Sequence, residues 1–249
     1  MIDEWGKGAK YWDKAWNPVV GCRKVSEGCA NCYAERMAAR FPELQDCNGG
    51  FMPHPPKTAK KPPQNGVVFV GNMTDIFGEW NNPVQIVNWL LSLNDNAENL
   101  ILTKRADRLQ KMIGGINPRR RCWWGITAEN QERLEERLPA LYHINGKRWI
   151  SAEPVIGWLD FGQAIWNCRR EKLLGEKIAI DWVVVGAESG ANRRPCKLEW
   201  VRGIVKFCLF HNIPVFVKQL DIDGKLVSDI NQFPEDLQIR QVPWRTEND

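Results

Sequence analysis

Six short apolar runs, rich in β-branched residues and each ending abruptly in polar ones, constrain this chain more than any other feature. They are GVVFVGNMTD (66–75), NLILTKR (99–105), RCWWGITAEN (121–130), RWISAEP (148–154), DWVVVGAESG (181–190) and IPVFVKQ (213–219). Short apolar runs with polar boundaries read as strands buried on both faces. Between them, residues recur at helical spacing: Val84-Ile86-Val87-Trp89-Leu90-Leu91, then Gln131 to Leu141, then Leu198 to Phe210. Strand and helix in alternation imply right-handed βαβ units and a parallel sheet. With NPVVG (17–21) as a first strand the count is about seven, which predicts an α/β fold built as a partial or full parallel barrel. An open doubly wound sheet is the alternative.

The 249 residues suit one such domain, with a core from about residue 16 to 220. The stretch Pro53 to Pro63 reads as an exposed loop, and 221–249 as an irregular tail with one short helix at most. The segment from Trp158 to Ile180 is ambiguous, since FGQAIWNCRREKLLGEK suits a helix with a charged face. No apolar run is long enough to cross a bilayer, or to act as a secretory signal behind Met1-Ile2-Asp3-Glu4. The expectation is a cytoplasmic protein with no membrane partner.

In a reducing cytoplasm eight cysteines are not a disulfide framework. Cys22, Cys29 and Cys32 fall within eleven positions and precede a helical stretch, and close thiolates are soft ligands for zinc, copper(I) or iron–sulfur clusters. Cys47, Cys122, Cys168, Cys196 and Cys208 stand singly and are expected to be small buried hydrophobes, Cys47 least so because it falls in a loop. A structural zinc site needs a fourth ligand, which His54 or Cys47 would have to supply. In a four-iron cluster held by three cysteines, one iron keeps an open position for substrate or cofactor.

Function in parallel α/β folds collects at the carboxyl ends of the strands, where successive loops converge. Those ends carry Asn72, Thr74 and Asp75; Thr103, Lys104 and Arg105; Thr127, Glu129 and Asn130; Ser151 and Glu153; Glu188 and Ser189; and Lys218 and Gln219, while the first strand ends at Cys22. Three glutamates follow apolar runs in the same way, as Ala128-Glu129, Ala152-Glu153 and Ala187-Glu188. Carboxylates around one mouth repel one another unless cations stand among them, and Lys104, Arg105 and Lys218 are candidates for that role. The net charge of +4, basic clusters at Lys57 to Lys61, Arg119 to Arg121, Arg169-Arg170 and Arg193-Arg194, and thirteen tryptophans for base stacking make nucleic acid a candidate partner.

The pattern Cys22, then Cys29-Ala-Asn-Cys32-Tyr33, resembles the radical S-adenosylmethionine superfamily, although six residues rather than the usual three separate the first two cysteines. A wider resemblance runs along the chain. Trp16-Asn-Pro-Val-Val-Gly-Cys22, Gly28 to Arg36, Leu102-Thr-Lys-Arg105, Gly125 to Asn130, Ser151-Ala-Glu153-Pro154, Val185 to Gly190 and Phe216-Val-Lys218-Gln219 look like blocks of the phage-associated three-cysteine-motif family. The resemblance implies a 4Fe-4S cluster on the three cysteines, with S-adenosyl-L-methionine chelated at the open iron. It also implies a reducing electron donor such as flavodoxin, and a 5′-deoxyadenosyl radical that abstracts hydrogen from a substrate.

By the same analogy Tyr33 neighbours the cluster. Asn72, Thr74 and Asp75 approach the methionyl amine, Lys104 or Arg105 its carboxylate, and Thr127 and Glu129 the ribose or adenine. Glu153, Glu188 and Lys218 are then candidates for catalysis on the substrate. Phage association, the basic clusters and the tryptophans point to DNA, with rearrangement of a hypermodified thymidine as the sharpest reading. A DNA-repair lyase or a tRNA-modifying enzyme is an alternative. A non-catalytic nucleic-acid-binding protein stapled by zinc or iron–sulfur is another. A partner protein completing the site is compatible with all of them.

Overall fold

The structure, a computed structural model, describes residues 9–114, 121–170 and 180–244. Arg119 and Arg120 of one basic cluster and the second half of the ambiguous 158–180 segment lie outside the described residues.

The strands are β1 (Lys14–Trp16), β2 (Gly66–Val70), β3 (Ala97–Thr103), β4 (Cys122–Thr127), β5 (Lys147–Ala152), β6 (Trp182–Gly186), β7 (Val215–Ile222) and β8 (Lys225–Val227). They form one sheet in chain order, with β1 to β7 parallel and β8 antiparallel to β7. Helices α1 (Tyr33–Arg40), α2 (Pro83–Ser92), α3 (Ala106–Ile113), α4 (Gln131–Tyr142), α5 (Phe161–Arg170) and α6 (Leu198–Phe210) fill the crossovers. β1 does not pair with β7 among the described residues, so the sheet curls into a half-barrel and not a closed barrel.

Two expectations are corrected. The first strand is Lys14–Trp16; in NPVVG only Val20 makes a β contact, an isolated bridge to His54. Cys22 therefore sits in a loop six residues beyond the strand and not at its end. The tail is also more ordered than expected. β8 covers one half of the outer edge of β7, and residues 239–241 cover the other half through Val217 N–H to the Ile239 carbonyl (2.8 Å) and Gln241 N–H to the Val215 carbonyl (2.9 Å). Covering β7 this way pairs its outer ladder within the chain.

Side-chain alternation along the strands sorts the core into two faces. Val68, Val70, Ile101, Ile126, Ile150, Val183, Val185 and Val217 point outward to pack against the helices. Val67, Phe69, Leu100, Trp123, Trp149, Trp182, Val184 and Phe216 point inward. Tyr11, just ahead of β1, joins the inner set with its ring centroid 5.2 Å from Trp182 and 5.5 Å from Phe216. From the tail, the Trp244 ring stands 4.8 Å from Trp182 and 5.4 Å from Trp123, and Val242 packs beside it. Large aromatic side chains therefore fill the barrel below its mouth. Gly125 makes room for them, since a Cβ there would stand 2.4 Å from the Trp149 indole nitrogen.

Among the described residues no helix is long and apolar enough to cross a membrane. Cys122, Cys168, Cys196 and Cys208 are buried as expected, and Cys47 is exposed.

Candidate functional site

The loop from β1 to α1 is pinned at several points. Gly21 adopts a positive φ of 92° and lies so close to the Met52 carbonyl that a Cβ would stand 2.2 Å from it, so only glycine fits. Its N–H donates to the Met73 carbonyl (3.0 Å) and its carbonyl accepts from the Thr74 hydroxyl (2.7 Å). Cys22 N–H donates to the Phe51 carbonyl (3.1 Å), and Arg105 Nη2 donates to the Arg23 carbonyl (3.1 Å). A short 3-10 turn over Glu27–Cys29 presses Gly28 against Glu129, and Cys32 caps the start of α1.

So held, Cys22, Cys29 and Cys32 line a single cavity of about 320 Å³, whose wall includes Phe51 and Met52 and whose rim carries the Lys24–Glu35 ion pair (2.9 Å). Burial first, and then the nearby Asp75 carboxylate, push the Cys22 thiol up to about 12, with Arg105 opposing in part. Among the described residues no group of three or more His, Cys, Asp or Glu side chains is arranged to hold a metal ion. Thiolates are soft metal ligands, and any metal group bound in this chamber would displace the thiol protons.

Cys32 also belongs to a second cavity, of about 360 Å³, at the mouth of the half-barrel. Tyr33, Lys104, Thr127, Glu153, Glu188 and Lys218 all line it. Lys218 Nζ donates to Glu153 Oε2 (2.6 Å), and Glu153 Oε1 accepts from the Tyr11 hydroxyl at 3.3 Å. The Lys218 ammonium also stands 5.7 Å and 5.8 Å from the ring centroids of Tyr11 and Trp12, within cation–π range. Glu188 accepts from Arg194 through both backbone and guanidinium, and from Asn31 Nδ2 (3.0 Å). Burial alone would raise its carboxyl, but the hydrogen bonds from Arg194 and Asn31 outweigh it and hold Glu188 below the usual range. The Tyr33 hydroxyl donates to the Asn72 carbonyl.

The remaining expected residues stand behind the cysteine loop and do not line the mouth. Asp75 accepts from the Thr103 hydroxyl (2.8 Å), from the Lys104 and Phe77 N–H groups, and from Arg105 Nη1 (3.1 Å). Arg105 is further held by Glu79 and lies 4.6 Å from the Trp80 ring centroid. Asn72 accepts from Asn17, and Thr74 holds Gly21. Glu129 is wholly buried, accepting from Arg137 Nη1 (2.7 Å) and the Ser26 hydroxyl (2.6 Å), with Lys104 Nζ 3.8 Å away. Each glutamate of the expected ring thus has a cation, but two of the three principal ones are Arg137 and Arg194, and Arg105 is not among them. Neither arginine stands at a strand end, and Tyr11 and Trp12 precede every apolar run. The aromatic pair itself was the available signal.

The model of a family described as "Protein of unknown function (DUF5131)" matches residues 7–230. The chain belongs to that family. No curated protein and no solved structure matches. Every residue lining the two cavities, from Tyr11 to Gln219, falls inside the family's span, whereas Val242 and Trp244 at the base of the barrel fall beyond it. The matched span of this chain therefore contains both chambers and the loop between them.

Proposed function

We propose that this protein is a radical S-adenosylmethionine enzyme with a half-barrel of that superfamily's type, acting on a modified nucleobase in DNA. One observation carries the reading: Cys32 forms part of the wall of both the three-thiol chamber and the barrel mouth. A 4Fe-4S cluster on Cys22, Cys29 and Cys32 supplies, when bound, the electron that cleaves S-adenosyl-L-methionine to methionine and a 5′-deoxyadenosyl radical.

The chain's own residues do the rest. Lys104, partly exposed at the mouth, offers a cation to a carboxylate. Thr127 and Tyr33 contribute polar and aromatic wall. Tyr11, Trp12 and Phe69 make the substrate end of the chamber apolar and planar, which suits a flat base and excludes water from a reactive species. Glu153 and Lys218, already hydrogen-bonded to each other, can orient a polar substituent on that base. Asp75, Arg105 and Glu129 position the cysteine loop from behind. A volume of about 360 Å³ is in the range of small-molecule sites, roughly 300–1,000 Å³.

The test is anaerobic reconstitution with iron and sulfide. The wild-type protein should turn brown and release 5′-deoxyadenosine from S-adenosylmethionine with dithionite. Cys22→Ala, Cys29→Ala and Cys32→Ala should do neither. A colourless, zinc-containing protein that releases no 5′-deoxyadenosine refutes the proposal in favour of a stapled binding protein. Nucleoside digests of DNA and RNA from cells with and without Cys32→Ala identify the modified base, and a change confined to RNA would move the substrate class to tRNA.

A further inference from the structure

Among the described residues, helix α1 leaves the cysteine loop with an exposed apolar face. Tyr33, Met37 and Phe41 recur every four residues and are 44%, 37% and 41% exposed. Tyr33 is continuous with the mouth cavity, where its ring forms wall while its hydroxyl is anchored on Asn72. Phe41 ends the helix about 12 Å further along the axis. An aromatic and apolar track therefore runs from the chamber out over the surface.

The stretch that carries that track has an excess of positive charge. Between Cys22 and Lys61 the chain carries seven basic residues against four acidic ones, so this stretch supplies +3 of the chain's net +4. Three of the four acids are engaged: Glu27 with Asn130 and Arg133, Glu35 with Lys24, and Asp46 with the N–H groups of Asn48, Gly50 and Met52. Arg40 is exposed on α1 beside Phe41, and exposed Lys57 is tied to the Pro42 carbonyl (2.7 Å) at the same end.

We infer that the α1 face binds the single-stranded nucleic acid flanking the target nucleotide, with bases stacked on Tyr33, Met37 and Phe41 and phosphates near Arg40 and Lys57. Aromatic platforms beside basic side chains are how proteins hold single strands without reading sequence. An enzyme acting on a base must take it out of the duplex or meet it single-stranded. The inference rests on the nucleic-acid substrate proposed above, and it supplies the track by which that substrate reaches the mouth.

The experiment is fluorescence anisotropy of a labelled mixed-sequence 20-nucleotide single strand and its duplex, titrated with reconstituted protein at two salt concentrations, without S-adenosylmethionine. The single strand should bind more tightly than the duplex, and less tightly at high salt. Phe41→Ala should weaken binding at least about fivefold. Arg40→Glu should weaken it and flatten the salt dependence. Both side chains are exposed, so the thermal midpoint should stay at the wild-type value. Release of 5′-deoxyadenosine in the absence of nucleic acid, run in parallel, reads the proposed chemistry independently of this surface. The inference is overturned if neither oligonucleotide binds, if Phe41→Ala and Met37→Ser bind like wild type, or if sedimentation shows a dimer that Phe41→Ala dissolves.

Discussion

Replacing Glu129 by alanine should both loosen the fold and empty the cysteine chamber. Its carboxylate is fully buried and stands 2.7 Å from the guanidinium of Arg137, itself 2% exposed. Arg137 Nη1 keeps one other acceptor, the Thr127 carbonyl at 2.8 Å, which carries no charge. Stranding a buried cation in this way costs about 3–5 kcal/mol. The Ser26 hydroxyl also loses its 2.6 Å acceptor, a further loss of about 1 kcal/mol. For a chain of this size each kcal/mol lowers the thermal midpoint by roughly 2–4 °C, so the expected fall is about 8–24 °C by circular dichroism. Because Ser26 and Gly28 seat the loop on Glu129, iron and sulfide bound after reconstitution should fall as well. The double variant Glu129→Leu/Arg137→Met removes both charges and should recover most of the stability without recovering iron. A midpoint within about 2 °C of wild type for Glu129→Ala, or full iron loading in it, would refute the reasoning.

Three further outcomes follow from the same contacts. Gly125→Ala forces a methyl to 2.4 Å from the Trp149 indole nitrogen and should cost about 1–3 kcal/mol by overpacking, read from denaturant midpoints; an unchanged midpoint would show that the aromatic layer can yield. In the metal-free protein the Cys22 thiol, pushed up to about 12, should remain protonated at pH 8 and alkylate later than the exposed Cys47 by peptide mapping; equal rates would contradict that shift. Glu188 is held below its ordinary range, so its contribution to stability is complete above about pH 4.3 and is lost as pH falls through the lower folded value. Glu188→Gln should flatten that acid limb of the stability curve, and an unaltered limb would mean the Arg194 pairing is not formed in solution.

How much of this was legible in the sequence depended on burial. β2 to β7 are covered on both faces, so each registers as an apolar run, and polar residues in or just after β3 to β7 do share one mouth. β1 is three residues on an edge, and Val19-Val20 mimic a strand because the loop that carries them is buried by His54 and its neighbours. β8 and residues 239–241 succeed by covering an edge with backbone bonds, which leaves little trace in side-chain pattern. Lys104, Thr127, Glu153, Glu188 and Lys218 share one mouth because their strand ends converge, whereas Cys32 and Tyr33, singled out by the cysteine spacing and the resemblance, reach it from the loop and α1. Asp75, Arg105 and Glu129 occupy equivalent positions in the sequence, yet face the back of the cysteine loop, since which side a polar terminus turns to depends on partners from distant segments. Arg137 and Arg194 are such partners and are invisible to a reading of strand ends alone.

The stacked indoles under the mouth act as a bulkhead. Trp149, Trp182 and Trp123, closed from below by Trp244, pack against Tyr11 and Phe69, which line the chamber itself. Under the proposed function, a product still held above those rings would compete with the next substrate for the same volume of about 360 Å³.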